Sequence, residues 1–318
     1  MHREAGQFRS APAWVRLAAA VIRRLPAGRY RTASAVARLR PRPFAARMAR
    51  DTGGLLFWCD LREDIARDVC LVGIYEPQET NLLSRLLRPG MTVVDAGANW
   101  GYFTLLSAHF VGTAGRVLSL EPDPRVFELL RRNLALNDLP QVTALAVAAG
   151  ACRGTLTLDG YDPSATNRGV SRVRIDADPV GLTTFAVASE RLDETIAEHR
   201  LAAVDLVKID VEGFEDAVLA GMAAGLRAHT YRRVLVEFHP ALLAEHGASV
   251  EACCLVLARA GYTGWAFDHS QVAGRRAAYV RALPLRDLLS RADQPPGADP
   301  WPHMLWTLPQ DDPRVGAA

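Results

Sequence analysis

The segment from Met91 to Thr104, Met-Thr-Val-Val-Asp-Ala-Gly-Ala-Asn-Trp-Gly-Tyr-Phe-Thr, leaves this chain little choice of architecture. Val93 and Val94 read as a buried strand with Asp95 at its carboxyl end. Gly97, Asn99 and Gly101 make a tight turn, and Phe103, Leu105, Leu106 and Phe110 open a helical apolar face. A strand that empties through a glycine turn into a helix begins a doubly wound sheet, and its turn is expected to aim backbone N–H groups at a ligand above the sheet.

The pattern repeats. Strands at 92–95, 117–121, 142–147, 204–210 and 234–239 alternate with helices at 102–111, 124–137, 192–199, 214–226 and 250–260. Such alternation predicts an α/β fold with a mostly parallel sheet. Upstream, a strand over 52–59 and a helix over 80–87, stopped by Pro89-Gly90, lead into it. The alternation breaks over 150–190, where 155–158, 173–175 and 185–188 read as antiparallel strands of an insertion or lid. Strands at 263–267 and 277–280 precede a proline-rich stretch over 283–302, and Met304-Leu305-Trp306 with Leu308 reads as the last strand.

A chain of 318 residues with 49% apolar and 23% charged residues suits one such domain. The expected organisation is a basic N-terminal leader over 1–50, the main domain over 51–310 and a flexible tail over 311–318. No apolar run reaches the ~20 residues of a membrane span, and the chain is expected to be cytoplasmic. Five cysteines with no Cys-x-x-Cys spacing argue against a disulfide framework or zinc knuckle, and Cys253-Cys254 reads as small core residues. The first 50 residues hold twelve arginines against one acid, Glu4. They read either as a nucleic-acid or membrane-surface arm or as an amphipathic helix over 14–25, packed on the domain or, as a homodimer contact, on a second subunit. The segment lacks aromatic residues interleaved for stacking on bases, so nucleic acid is not the expected partner.

The turn separates two ligand classes. A nicotinamide enzyme wants Gly-x-Gly-x-x-Gly so that backbone can approach a pyrophosphate; here asparagine stands at the second glycine position. The next strand ends in Glu121-Pro122, an acid placed to accept both hydroxyls of a ribose. Asp95, ending the first strand, suits an ammonium group. Diol partner, carboxylate-accepting turn and acid beside an amine together describe S-adenosylmethionine. A nicotinamide oxidoreductase and a non-catalytic S-adenosylmethionine-binding or nucleic-acid-associated protein remain as alternatives.

With these residues in view, the stretch Val94 to Thr104 resembles the first motif of the FkbM family of S-adenosylmethionine-dependent methyltransferases. Gly73-x-Tyr75-Glu76-Pro77, Glu121-Pro122-Asp123-Pro124, Asn133-Leu134-x-x-Asn137, Lys208-Ile209-Asp210-Val211-Glu212-Gly213-Phe214-Glu215 and Glu237-Phe238-His239 are similar to further stretches of that family. The likeness runs over roughly residues 55–310, leaving out the leader and being weaker in the insertion. It implies a seven-stranded methyltransferase sheet ending in an antiparallel hairpin, and methyl transfer to a hydroxyl oxygen of a small-molecule or glycosylated acceptor. The cofactor residues expected on these grounds are Tyr75, Glu76, Asp95, Gly97, Ala98, Asn99, Gly101, Tyr102, Phe103, Thr104, Glu121, Pro122 and Asp210.

Two later strands carry the expected chemistry. Lys208 and Asp210 share one strand face, as do Glu237 and His239. If the strands are adjacent, as the resemblance implies, all four gather at one sheet edge. Of the 37 basic side chains only Lys208 is lysine. Buried in an apolar strand, it must be ion-paired with Glu237 or Asp210, or else neutral and able to act as a base. Methylating a hydroxyl needs a group to take its proton. His239 is the first choice, with a strand-end cap beside Pro240 as the plainer reading. A divalent cation held by Asp210, Glu237 and His239 is a third reading, although no resident metal is expected. Glu215 reads as a carboxylate facing a helix N-terminus, and Glu212 stays open between that role and ligand contact.

Overall fold

Val93, Val94, Val207, Ile209, Val234 and Val236 are buried to 1% exposure or less, as residues covered on both faces of a parallel sheet must be. The structure, a computed structural model, describes residues 9–160, 171–173, 183–268, 271–280, 283–295 and 301–313. The N-terminal elements are α1 (Ala13–Ile22), α2 (Arg29–Ala37), β1 (Phe44–Arg47), β2 (Leu56–Cys59), α3 (Asp64–Arg67) and α4 (Pro77–Leu86). The winding follows with β3 (Thr92–Ala96), α5 (Tyr102–Val111), β4 (Arg116–Leu120), α6 (Pro124–Ala135) and β5 (Val142–Leu145). The insertion comprises β6 (Ala148–Ala149), β7 (Gly154–Asp159), β8 (Arg172–Val173) and β9 (Thr184–Glu190). Then come α7 (Leu192–Glu198), β10 (Leu206–Ile209), α8 (Glu215–Gly221), α9 (Ala223–Arg227), β11 (Arg233–Glu237), α10 (Pro240–Glu245) and α11 (Val250–Arg259). The chain closes with β12 (Thr263–Phe267), α12 (Gln271–Tyr279), β13 (Leu289–Arg291) and β14 (His303–Thr307).

The main sheet runs β13-β12-β14-β11-β10-β3-β4-β5. Five strands, β11-β10-β3-β4-β5, are parallel, and β14 runs antiparallel to both β11 and β12. The doubly wound α/β sheet with its closing antiparallel hairpin is therefore as expected, with one addition. An eighth strand, β13, pairs with β12 at the edge, and it comes from the proline-rich stretch over 283–302, where no strand is expected. The strand expected at 277–280 is instead the end of α12. Ala277 and Ala278 are good helix formers, and their helix packs on α4, where Asn81 Nδ2 donates to Ala277 O at 3.2 Å. The helix expected over 214–226 is broken at Met222 into α8 and α9. The strand expected over 52–59 begins only at Leu56, and Thr52 instead ends a 3₁₀ turn over Arg50–Thr52. The insertion is a second sheet of order β6-β9-β7-β8; residues 174–175 of the strand expected there lie outside the described residues, as does the tail from 314.

The basic leader is tied into this core. Val15, Ala19 and Ile22 of α1 share one apolar cluster with Leu105 and Leu106 of α5. Arg23 Nη2 donates to Cys70 O at 2.7 Å, and β1 pairs with β2 across position 50. Two asparagines, Asn133 on α6 and Asn137 just past its end, extend the tie. Asn133 accepts the Trp58 N–H at 2.6 Å and donates to Trp100 O at 2.7 Å. Asn137 accepts the Leu56 N–H at 2.9 Å and donates to Leu56 O at 2.8 Å, so its amide completes the backbone pairing of β2 as a neighbouring strand would. Among the described residues no helix is long and apolar enough to cross a membrane.

Candidate active site at the carboxyl edge of the sheet

The turn after β3 satisfies its own backbone. The Gly97 and Ala98 N–H groups both donate to Leu120 O at 2.9 Å, and Gly101 N–H donates to Ala98 O at 2.9 Å. Asn99 N–H donates to Glu121 Oε2 at 2.9 Å, and Trp100 N–H donates to Asn99 Oδ1 at 2.7 Å. The expectation that these groups point at a ligand is corrected: from Gly97 to Gly101 every N–H is already bonded within the protein. A pyrophosphate would find no free donor there. The asparagine is explained by the same geometry. Asn99 sits at φ +50°, a left-handed conformation that asparagine tolerates while its side chain closes the turn. Gly97, at φ +83°, admits no side chain, because a Cβ would lie 1.8 Å from the Asp210 carbonyl oxygen. That contact draws the ends of β3 and β10 together.

Behind the turn, Asp95 is 1% exposed. Its Oδ2 accepts the Thr104 hydroxyl at 2.7 Å, while its Oδ1 has no hydrogen-bond partner. Burial pushes its pKa up, and Lys208 opposes that shift. Glu121 also holds the Asp123 N–H at 2.8 Å, and burial pushes its pKa up to about 8.

The other half of the edge is ionic. Lys208 Nζ donates to Asp210 Oδ2 at 2.8 Å and lies 4.4 Å from the centroid of the Phe103 ring. Burial disfavours its charge, but Asp210, Glu76, Asp95 and Glu237 outweigh burial and raise its pKa. It is therefore an ammonium without a lone pair, which fits the ion-pair reading and not the base reading; its direct partner is Asp210. His239 is 4% exposed. Its Nδ1 faces Glu215 Oε1 at 2.8 Å, and its Nε2 lies 3.3 Å from Glu212 Oε2 and 3.8 Å from Glu237 Oε1. Burial works against the imidazolium, yet Glu215, Glu212 and Asp210 push its pKa up to about 9. Burial likewise lifts Glu212 to about 7, and burial with the neighbouring Glu237 lifts Glu76 to about 8.

A cavity of about 610 Å³ opens between the two halves. Of the residues expected at the cofactor, Tyr75, Glu76, Gly97, Asn99, Glu121, Pro122 and Asp210 line it, as do the expected catalytic groups Glu237 and His239. Asp95, Ala98, Gly101, Tyr102, Phe103, Thr104 and Lys208 do not line it. They stand behind the wall: the Tyr102 ring packs edge-on against Tyr75, with centroids 5.7 Å apart, and against Phe103, with centroids 5.1 Å apart. Three partners escaped the sequence. Glu215, read as a helix-start carboxylate, does accept the Gly213 N–H at 2.9 Å but also clamps His239. His303, on β14, lies 2.9 Å from the buried Glu79 through Nδ1 and 3.4 Å from Glu237 through Nε2. Register could have flagged it, since Glu237 pairs directly with His303. The metal set also changes: ligand atoms of Asp210, Glu212 and His239 lie within 4.8 Å of one another, so Glu212 takes the place expected of Glu237.

Comparison with known proteins adds the following. Residues 95–263 match the methyltransferase FkbM domain family. The 31-O-demethyl-FK506 methyltransferase FkbM of Streptomyces tacrolimicus is 34% identical over 198 residues, covering 52% of this chain and 75% of that protein. Methyltransferase sdnD of Sordaria araneosa is 32% identical over 157 residues, covering 41% of this chain and 60% of that protein, so the match spans about three-fifths of its length. The solved structure of Aeropyrum pernix fibrillarin with natively bound S-adenosyl-L-methionine is similar over 70% of this chain and 68% of that one, at 14% identity and a TM-score of 0.38, too distant to inform the site.

Proposed function

The chain belongs to the FkbM methyltransferase family, and from that premise we propose that it transfers a methyl group from S-adenosylmethionine to a hydroxyl oxygen of a small-molecule or glycosylated acceptor. The observation that carries the reading is His239: one ring nitrogen clamped by the buried Glu215 and the other turned toward a cavity that also touches Gly97 and Glu121. The residues fit the cofactor. Glu121 keeps lone pairs for a ribose diol after accepting two N–H groups. Glu76, lining the cavity, has a buried Oε2 without a partner, and Asp95 has an unpartnered Oδ1 behind it; acids of this kind suit a ligand that carries an ammonium and a sulfonium. When bound, the cofactor supplies an electrophilic methyl group. The protein's part is to place the acceptor hydroxyl and take its proton at His239 Nε2, with Glu215 fixing the ring from behind.

Because His239 holds its proton up to about pH 9 in the free protein, kcat/KM is expected to rise with pH through the neutral range. Replacing His239 by alanine should leave S-adenosylhomocysteine binding, measured by calorimetry, within about twofold, and lower methylation by about a hundredfold. An alanine variant with the full rate would remove His239 from the chemistry. The relatives' names motivate the acceptor class: one carries out a reaction named for an O-demethylated substrate. A panel of sugars and macrocyclic alcohols, scored by methyl transfer, tests it. A second reading rests on the close Asp210, Glu212 and His239 set. A divalent cation there would bind and acidify the acceptor hydroxyl. Full activity after exhaustive chelation excludes it.

A further inference from the structure

α1 presents two apolar faces. Val15, Ala19 and Ile22 are buried in the core, whereas Trp14, Leu17 and Val21 are 40%, 68% and 53% exposed. The exposed three fall at i, i+3 and i+7 and so form one ridge along the helix. Cations surround it. Arg16 and Arg24 are exposed on the same segment, and Arg9 and Arg42 share with Trp14 a recess of about 360 Å³. α2 packs on α1, and just past its end Leu39 is 68% exposed between the exposed Arg38 and Arg40. Over residues 9–50 there is no acid at all.

We propose that this face docks on an anionic lipid bilayer, with the Trp14–Leu17–Val21 ridge entering the interfacial region and the arginines meeting the headgroups. An apolar ridge bearing a tryptophan and bordered by arginines is what an in-plane interfacial helix requires. Charge disfavours the plainest competitor, a second copy of this chain. A two-fold contact would set this patch against itself, and residues 9–50 bring arginines and no acid to it. Nucleic acid would use the arginines but leave Leu17, Val21 and Leu39 in water. α1 packs through Arg23 on the segment after α3, and that segment leads along the chain to Tyr75 and Glu76 of the cavity wall. The proposal does not depend on the methyl-transfer reading.

The test is sedimentation of the full chain with vesicles of phosphatidylcholine alone or mixed with phosphatidylserine. Binding is expected only to the mixed vesicles and should weaken with salt. A Trp14→Ser, Leu17→Ser, Val21→Ser variant should bind at least about tenfold more weakly. Arg16→Gln and Arg24→Gln should each cost about fivefold. All these positions are exposed, and an unchanged melting midpoint verifies that each variant is folded. Three results overturn the proposal: no binding to mixed vesicles, binding that survives the serine variant, or a dimer seen by sedimentation velocity that the serine variant abolishes while lipid binding is absent. Binding to duplex RNA that depends on the arginines but not on the ridge, without lipid binding, reassigns the face to nucleic acid.

Discussion

The two halves of the candidate site are built by different means. After β3 the site is backbone: five consecutive N–H groups closed on the protein itself, a glycine pressed on a carbonyl oxygen and an asparagine in a left-handed turn. Beside it, the ends of β10, β11 and β14 are side chain: an ammonium, two imidazoles and their carboxylates, each holding another in a given charge state. The turn tolerates no change of shape, and pH reaches it only through the Glu121 carboxyl. The ionic half tolerates shape changes better and depends on charge balance.

The largest expected effect tests the rigid half. Gly97→Ala places a Cβ against the Asp210 carbonyl at a φ that disfavours alanine, and about 4 kcal/mol of stability should be lost in urea unfolding. A loss under 1 kcal/mol would show that the turn gives way and the contrast is false. Next comes the ionic half. Lys208→Met leaves Asp210 and the buried Asp95 without their cation, and about 3 kcal/mol should be lost. Because charge rather than shape is at stake there, the loss should shrink at acid pH, where the carboxylates take protons; a pH-independent loss would make Lys208 a packing residue. Asn133→Ala strips partners from the Trp58 N–H and Trp100 O. A loss of about 2 kcal/mol, the same at pH 6 and pH 9, is expected if the turn half is a matter of backbone satisfaction.

The smallest effect is a titration. The imidazole of His239 is lifted from 6.5 to about 9, and the carboxyls of Glu76 and Glu121 from 4.5 to about 8. Groups whose pKa is raised by folding contribute stability that is complete below their unfolded values and lost as pH rises through their folded ones. The cofactor-free protein should therefore lose a few degrees in melting midpoint between about pH 6 and pH 9. His239→Gln should flatten part of that slope. A midpoint that climbs over this range would contradict the charge states assigned to these three groups.

The rigid half was legible because it is local. Strand, turn and helix are contiguous from Met91 to Thr104, and the cavity-lining Glu121 directly follows the very next strand. What local reading misjudged was the direction of the N–H groups, because it could not see that Leu120 O and Glu121 would take them. The ionic half was legible where strand alternation sufficed, as for the Lys208–Asp210 and Glu237–His239 pairs. It failed for His303 and Glu79, which meet across β14 and α4 although they are far apart in the chain. Only the antiparallel register of β14 on β11 brings that histidine to Glu237. The strand expected at 277–280 failed for a related reason: a short alanine-containing run has no period strong enough to overrule its packing on α4.

One consequence of the second sheet extends beyond the site itself. Leu158 on β7, Val173 on β8 and Ser171 just before β8 form a wall of the cavity; β7 hydrogen-bonds to β8 and to β9, and neither β7 nor β8 pairs with a strand of the main sheet. Ser171 is fastened across to Asp123 at 2.6 Å. Such a wall stands on a sheet of its own, so substitutions at Leu158 or Val173 should reshape the cavity without displacing Gly97, Lys208 or His239, which are carried by the main sheet.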